Sequence, residues 1–374
     1  MEETVSGNTG RIEFQPTQRV EIKTQRIDVR TARRLNLKEI AKLAGVSKST
    51  VSRVLQNEPR VSPTTRERIK TIMAELRYKP NLFARGLKGS RTGLIGVLSR
   101  WIESGFFAEL LRHLDDEVKP RGGRLLCSFT PYLDEYVEQW RMFAQGGQVD
   151  GVILIAPSQD LFDHSVQPGD VPTVVCCADP GLGGPSWARV DSVNIQNAKA
   201  MDQLIEHLFQ QGHRRLVHIA GEDRNLDSVE RAAAFERSVN ARDGMEGSVE
   251  GGAWTVQMGH ELIAGYIECK RPLPDAFVVF NDTAALGMIR ALREAGYRVP
   301  GDVAVTGWDN DAFAEVAGLT TVNLSVADMA RSAVGLLFDR LGRQGADMRG
   351  RRERIDLSLC IRASGLRGTE PRAT

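Results

Sequence analysis

Lys48, Ser49, Thr50, Ser52 and Arg53 crowd the stretch AGVSKSTVSRVL, residues 44–55. Cations and hydroxyls grouped this way can hydrogen-bond phosphate oxygens and base edges. Arg53 is the foremost base reader, because a planar guanidinium matches guanine with two parallel hydrogen bonds. Lys48 and Ser49 stand beside it as further candidates. No catalytic constellation accompanies them. The chain has no G-x-G-x-x-G opening a helix after a strand, no P-loop and no G-x-S-x-G. Its six histidines are dispersed, and His213, in QQGHRRL, is placed to close a helix C-terminus, where a cation is favoured. Gly181, Gly183 and Gly184 lie in a Pro/Gly-rich stretch that reads as a turn rather than a phosphate cradle. The five cysteines are scattered, apart from adjacent Cys176 and Cys177, and show no metal-ligand spacing. Neither metal nor cofactor is expected, nor an enzyme, and the odd cysteine count suits a reducing cytoplasm.

The elements that must hold the basic cluster read as helices. Leu37, Ile40, Ala41 and Ala44 fall at i, i+3, i+4 and i+7, one face of a helix. Gly45 stops it, since glycine readily takes the left-handed conformation of a helix end. Ser47 caps the next helix by accepting from the backbone N–H of Thr50. There Val51, Val54 and Leu55 face inward, which leaves Lys48, Ser49, Ser52 and Arg53 near the outer, N-terminal end. Two short helices joined by a tight glycine turn make a helix-turn-helix, whose second helix enters the major groove. A third helix opens on Ser62 and Pro63, carries Ile69, Ile72, Met73 and Leu76 as its apolar stripe, and ends at Pro80. Next comes NLFARGLKGSRTG, where Asn81 can cap one short turn and Gly86 costs roughly 1 kcal/mol against alanine. So short a helix is marginal alone and is expected to fold against DNA.

Charge separates this head from the rest. From Arg33 to Arg91 there are 15 Lys/Arg and 4 Asp/Glu, a net of +11, whereas residues 92–374 carry 29 basic and 39 acidic residues, a net of −10. A basic head on an acidic body fits a nucleic-acid-binding module joined to another domain. A chain of 374 residues with 41% apolar content has room for two or three domains. No run approaches the ~20 apolar residues of a membrane span. The body alternates apolar strand runs (TGLIGVL, RLLCSF, VDGVILIA, VPTVVCCA, LVHIAG, DAFVVF, DVAVTGW) with helical stretches, which predicts parallel sheets wrapped by helices. There are too many strands for one small sheet, and a break near residues 185–195 predicts two similar lobes with a ligand cleft between them, at the C-terminal ends of the strands.

LKEIAKLAGVSKSTVSRVLQNEPRVSPTTRERIKTIMAELRYKPNLFARGLKG resembles the DNA-binding head and hinge of the LacI/GalR family of bacterial transcriptional regulators. TGLIGVL, FFAELLR, VDGVILIAP, QGHRRLVHIAG, FNDTAALGMIRALREAGYRVPGDVAVTGWDN and LTTV resemble its effector-binding core. The resemblance covers residues 36–366 in order. It implies an α/β fold: a three-helix helix-turn-helix head plus a two-lobed, periplasmic-binding-protein-like core of doubly wound parallel sheets. The expected divisions are a flexible arm (1–34), the helix-turn-helix domain (35–80), the hinge helix and linker (81–91), the two-lobed effector-binding and dimerisation core (92–366) and a disordered tail (367–374). The family implies a cytoplasmic, nucleoid-associated homodimer on a near-palindromic operator, acting as a repressor under control of a small, carbohydrate-like effector. A solute-binding protein of the same core fold is disfavoured by the DNA-binding head and by an N-terminus that is no secretory signal.

The resemblance also places residues. Leu87 stands at the hinge leucine that wedges into the minor groove, with Asn81 at the start of that segment. In the core, Arg231 stands where the family clamps its effector. Asn281 and Asp309 stand at hydrogen-bonding positions of the second lobe, Trp254 at an aromatic that stacks on sugars, and Phe106 and Phe107 where the first lobe lines the cleft. Cys177 occupies the place of a common aspartate, and Ile155 that of a polar residue. Losing two polar partners argues against a simple monosaccharide, because sugar hydroxyls need partners inside a cleft. Asp179 is placed either to compensate or to serve a turn beside Pro180.

Overall fold

The computed structural model describes residues 36–55, 58–76, 78, 91–100, 102, 104–145, 147–163, 168, 171–252, 254–342 and 349–367. The expected N-terminal arm, the segment carrying Asn81, Gly86 and Leu87, and all of the expected tail but Arg367 lie outside them. Two compact units divide at residues 81 and 82.

In the first unit, helix α1 (Leu37–Leu43) opens on a capping box: the Asn36 side chain accepts from Glu39 N while Glu39 Oε2 accepts from Asn36 N at 2.7 Å. Gly45, at φ +60°, turns the chain into α2 (Lys48–Leu55). Helix α3 (Pro63–Glu75) starts with the Ser62 side chain accepting from Thr65 N and Pro63 in its first turn. Ile40, Ala41, Ala44, Val51, Val54, Val61, Ile69 and Ile72 are buried together, with Leu55, Met73 and Leu76 packed against them. This is the small core that the helical periodicity predicts.

The second unit holds two six-stranded sheets. The first contains β1 (Leu94–Ser99), β2 (Arg124–Phe129), β3 (Gly151–Ile155), β4 (Thr173–Cys176), β5 (Asp191–Ile195) and β11 (Arg352–Ile355) in the order β11-β5-β4-β3-β1-β2. Every neighbouring pair is parallel. The second contains β6 (Arg215–Ile219), β7 (Glu246–Glu250), β8 (Ala276–Val279), β9 (Ala304–Asp309), β10 (Thr320–Asn323) and β12 (Ser358–Cys360) in the order β12-β10-β9-β8-β6-β7. Only the edge pair β10–β12 runs antiparallel. Every residue of β1, β3, β4, β8 and β9 is buried, so these strands are the apolar runs legible in the sequence. Helices α4 (Gly105–Val118), α5 (Leu133–Gln145), the short α6 (Asp160–Asp163) and α12 (Val326–Gly342) serve the first sheet. Helices α7 (Asn197–Gln210), α8 (Leu226–Asn240), α9 (Val256–Glu268), α10 (Asp282–Glu294) and α11 (Ala312–Val316) serve the second.

The break expected near residues 185–195 falls at the end of that span and is one of three. Strand β5 still belongs to the first sheet, and the chain changes lobe three times: after Ile195, after Asn323 and after Ile355. Polar residues obscure β5 in the sequence. Asp191 opens it fully buried, held by Arg340 at 2.6 Å and by the backbone N–H of Arg351. His213 does close α7: its N–H donates to Leu208 O beside Gly212 at φ +85°.

Candidate functional site

The head presents its polar face as its helices dictate. Lys48, Ser49 and Arg53 are exposed, and Thr50 and Ser52 are partly so, on the side of α2 opposite buried Val51 and Val54. The Ser47 hydroxyl caps α2 by accepting from Thr50 N at 3.1 Å, and it also bonds the hydroxyls of Ser49 (2.7 Å) and Thr50 (2.8 Å). Thr50 therefore helps fix the helix start while Lys48 and Arg53 reach outward. Arg53 Nε lies 3.8 Å from Glu58 Oε2, both half-exposed, a weak pairing that a nucleic-acid phosphate or base can displace.

The second unit contains a cleft of about 240 Å³ between its lobes, lined from one side by Phe106, Phe107, Ala156 and Cys177 and from the other by Asp227, Arg231, Trp254, Phe280, Asn281 and Asp309. Seven of the nine cleft candidates singled out in the sequence line it; Ile155 and Asp179 do not. Each strand-end residue enters the cleft at the carboxyl edge of its sheet, where doubly wound folds place ligands. Ala156, Cys177 and Asp309 leave β3, β4 and β9 at positive φ (42°, 62° and 119°), conformations that cost of order 1–3 kcal/mol each and cluster at functional sites.

Arg231 organises the second wall. It is 3% exposed. Its Nε donates to Asn197 Oδ1 and its Nη1 to Phe280 O, both at 2.9 Å. Its guanidinium carbon lies 4.6 Å from the Phe280 ring centre and 4.5 Å from that of Trp308, a double cation–π contact. Burial lowers its pKa, and the carboxyls of Asp227 and Asp309 push it back up. Burial raises Asp227 to about 6 against the pull of Arg231 and of the Asn197 side chain, which donates to it at 2.7 Å. Burial, then the neighbouring Asp282, pushes Asp309 well above the usual carboxylate range. Asp282 is itself raised to about 7, burial outweighing the hydrogen bonds from Thr321 Oγ1 (2.6 Å) and Asp311 N (2.9 Å). A buried cation thus faces Asp227 and Asp309, two carboxyls whose protonated forms burial favours.

Aromatic surface completes the site. Trp254 meets Phe280 edge-to-face at 4.6 Å, and Phe106 meets Phe107 at 5.0 Å while both also pack into the apolar cluster beneath. Asn281 caps α10 through Ala284 N and donates to Trp254 O at 2.9 Å; its first task is to hold Trp254. The Cys177 thiol touches Met329 Sδ at 3.8 Å, and burial pushes its pKa well up, so it offers an apolar surface where a carboxylate was the expected residue. Ile155 is buried beside the lining. Asp179 caps a turn through Gly181 N and pairs with Arg352 at 3.2 Å, away from the lining residues. The turn is the role it fills.

The sequence reading missed Asp227, Glu222, Asn225, Ser104 and Thr255, all in the lining. A usable signal existed: Ser104, Asn225, Thr255 and Asn281 each stand at the N-cap of a helix. All four lie where the chain passes from a strand's carboxyl end into a helix, the ligand-binding edge of an α/β fold.

Comparison with known proteins decides the family. Residues 36–81 match the family of bacterial regulatory proteins of lacI type, and residues 205–365 match the periplasmic binding protein-like domain. The HTH-type transcriptional regulator CelR of Thermobifida fusca is 32% identical, over 89% of this chain and 99% of its own length. The HTH-type transcriptional repressor PurR of Vibrio parahaemolyticus is 30% identical, over 82% and 91%. This chain belongs to the LacI family. Among solved structures, the CelR–cellobiose complex matches with a TM-score of 0.65 at 30% identity, covering 88% of this chain and all of that one. The lac repressor dimer bound to operator and the anti-inducer ONPF matches at 0.75 and 25%, covering 89% and all. Like these LacI-family relatives, the protein is a DNA-binding transcriptional regulator rather than an enzyme. Among the described residues no helix is long and apolar enough to cross a membrane.

Proposed function

We propose that the cleft binds a carbohydrate-like small molecule and that its occupancy sets the affinity of a homodimeric repressor for a near-palindromic operator. One observation carries this reading. The aromatic pair Trp254–Phe280 stands on the same wall as Asp227, Arg231 and Asp309. Sugars combine apolar C–H faces, which stack on rings, with hydroxyls that must find partners when buried. The carboxyls and the guanidinium supply those partners. Cys177 and Ile155 remove polar partners from the opposite wall, which favours a ligand larger than one sugar ring. CelR, solved with cellobiose, and the lac repressor, solved as an operator-bound dimer, support the ligand class and the assembly. In the head, Lys48, Ser49, Thr50, Ser52 and Arg53 would face the major groove, and Asn81 and Leu87 would belong to the segment that enters the minor groove.

A thermal-shift panel of disaccharides, with nucleobases and amino acids as counter-panel, tests the ligand class. A ligand at a hundred times its Kd stabilises the fold by about 2.7 kcal/mol. At least one disaccharide should raise the melting temperature by a few degrees, and Trp254→Ala should abolish the shift. If only the counter-panel produces a shift, the carbohydrate reading fails.

A further inference from the structure

One loop of the second lobe serves the cleft in two ways. Residues 220–225 join β6 to α8, which opens on Leu226. Glu222 and Asn225 line the cavity, as does Asp227 just beyond the loop. Arg224 and Leu226, which alternate with them, engage the first lobe instead. Arg224 Nη2 lies 2.6 Å from Asp160 Oδ1, and the Arg224 carbonyl accepts from the backbone N–H of Gln159 at 3.2 Å. Leu226 packs against the first-lobe cluster that contains Phe162 and Trp187. Glu222 does both: it lines the cavity, and its Oε2 meets Arg100 Nη1 of the first lobe at 3.1 Å. The receiving side is arranged for these contacts. Ser158 Oγ donates to Asp160 Oδ2 at 2.8 Å, while Oδ1 meets Arg224. Arg100 is tied back to its own lobe through Pro131 O.

We infer that residues 222–227 form a strap that reads the effector and closes the lobes in one event, with Glu222, Asn225 and Asp227 as effector contacts and Arg224 and Leu226 as the closure contacts. The inference rests on the proposal that the cleft takes an effector. The physical ground is economy of parts: a ligand that settles against Asn225 and Asp227 fixes the backbone that carries Arg224 and Leu226 across the gap. Arg224 is largely exposed, so its ion pair is weak and screened by salt. Closure is then finely balanced, and a modest ligand preference shifts it.

The Gln159 amide, whose hydrogen bond crosses the gap, reports closure by hydrogen exchange. Arg224→Ala, Asp160→Asn and the double variant should each speed exchange in the segments 156–163 and 222–228 several-fold, with β3 and β6 unchanged. The double variant should be no faster than the faster single variant, because one pair is broken. Unchanged exchange at Gln159 in Arg224→Ala, or effects that multiply in the double variant, overturns the strap. Cellobiose serves as ligand probe. Arg224 is not among the residues lining the cavity, yet Arg224→Ala should weaken cellobiose binding about ten-fold, and equal affinity overturns the inference. If the unaltered protein ignores cellobiose and every other disaccharide of the panel, the reading of the cleft is at fault, and exchange at Gln159 decides only whether Arg224 and Leu226 hold the lobes together.

Discussion

Arg231 is the residue on which the candidate site turns. A buried guanidinium is tolerated because Asn197, Phe280 O, two aromatic faces and two carboxyls surround it. Removing one member of a buried charge pair costs about 3–5 kcal/mol, so Arg231→Ala should lower stability by that order in urea unfolding. The loss should be smaller at pH 5 than at pH 8, because Asp227 and Asp309, left without their cation, can neutralise themselves by taking up protons. The carboxyls give a second test. Asp227 and Asp282 have folded pKa values of about 6 and about 7, raised from 3.8. The folded state therefore binds more protons than the unfolded chain between these values. Stability from this source is complete below about pH 4 and is lost as pH rises through 6 to 7. Asp309→Asn removes the titrating carboxyl that burial and Asp282 raise and should flatten that decline. An unaltered pH profile would contradict the assigned coupling.

At the scale of elements, the recognition helix α2 divides its work between ends and faces. Ser47 holds its start, Val51 and Val54 hold its inner face, and Lys48 and Arg53 project from its outer face. Arg53→Ala should cost about 1–3 kcal/mol at one base pair of each half-site, read from binding to an operator and to its single-base variants. An equal loss on random DNA would make Arg53 a phosphate contact instead. The helices of the head were legible because caps, period and a glycine stop agree in a short span. The central strands were legible as apolar runs. Strands β5, β7, β10, β11 and β12 were not: β7 and β11 are largely exposed or half-buried edges with polar sequences, β10 is four residues with two threonines and an asparagine, and β5 begins on an aspartate that only its distant arginine partners explain. Asp227 escaped notice for a related reason. An acidic residue in a helix's first turn reads as compensation of the helix dipole, and nothing in the sequence shows that Asn197 and Arg231 gather around it.

At the scale of the whole molecule, the threefold crossing between lobes is the feature that no linear reading of the strands supplied, because β11 and β12 return from far along the chain to opposite sheets. Three crossings after Ile195, Asn323 and Ile355 tie the two lobes together. The +11 charge of the head, against −10 for the body, marks the head as the part that attracts a phosphate backbone. A ligand in the cleft should change what the head does on DNA. The measurement that tests it most directly is an anisotropy titration of the full chain on a palindrome selected from random duplexes. Salt is held fixed, and the disaccharide that raises the melting temperature is present or absent. Saturating ligand should change operator affinity about ten-fold or more, in the unaltered protein but not in Trp254→Ala. Operator affinity that stays the same while the ligand demonstrably occupies the cleft would contradict it.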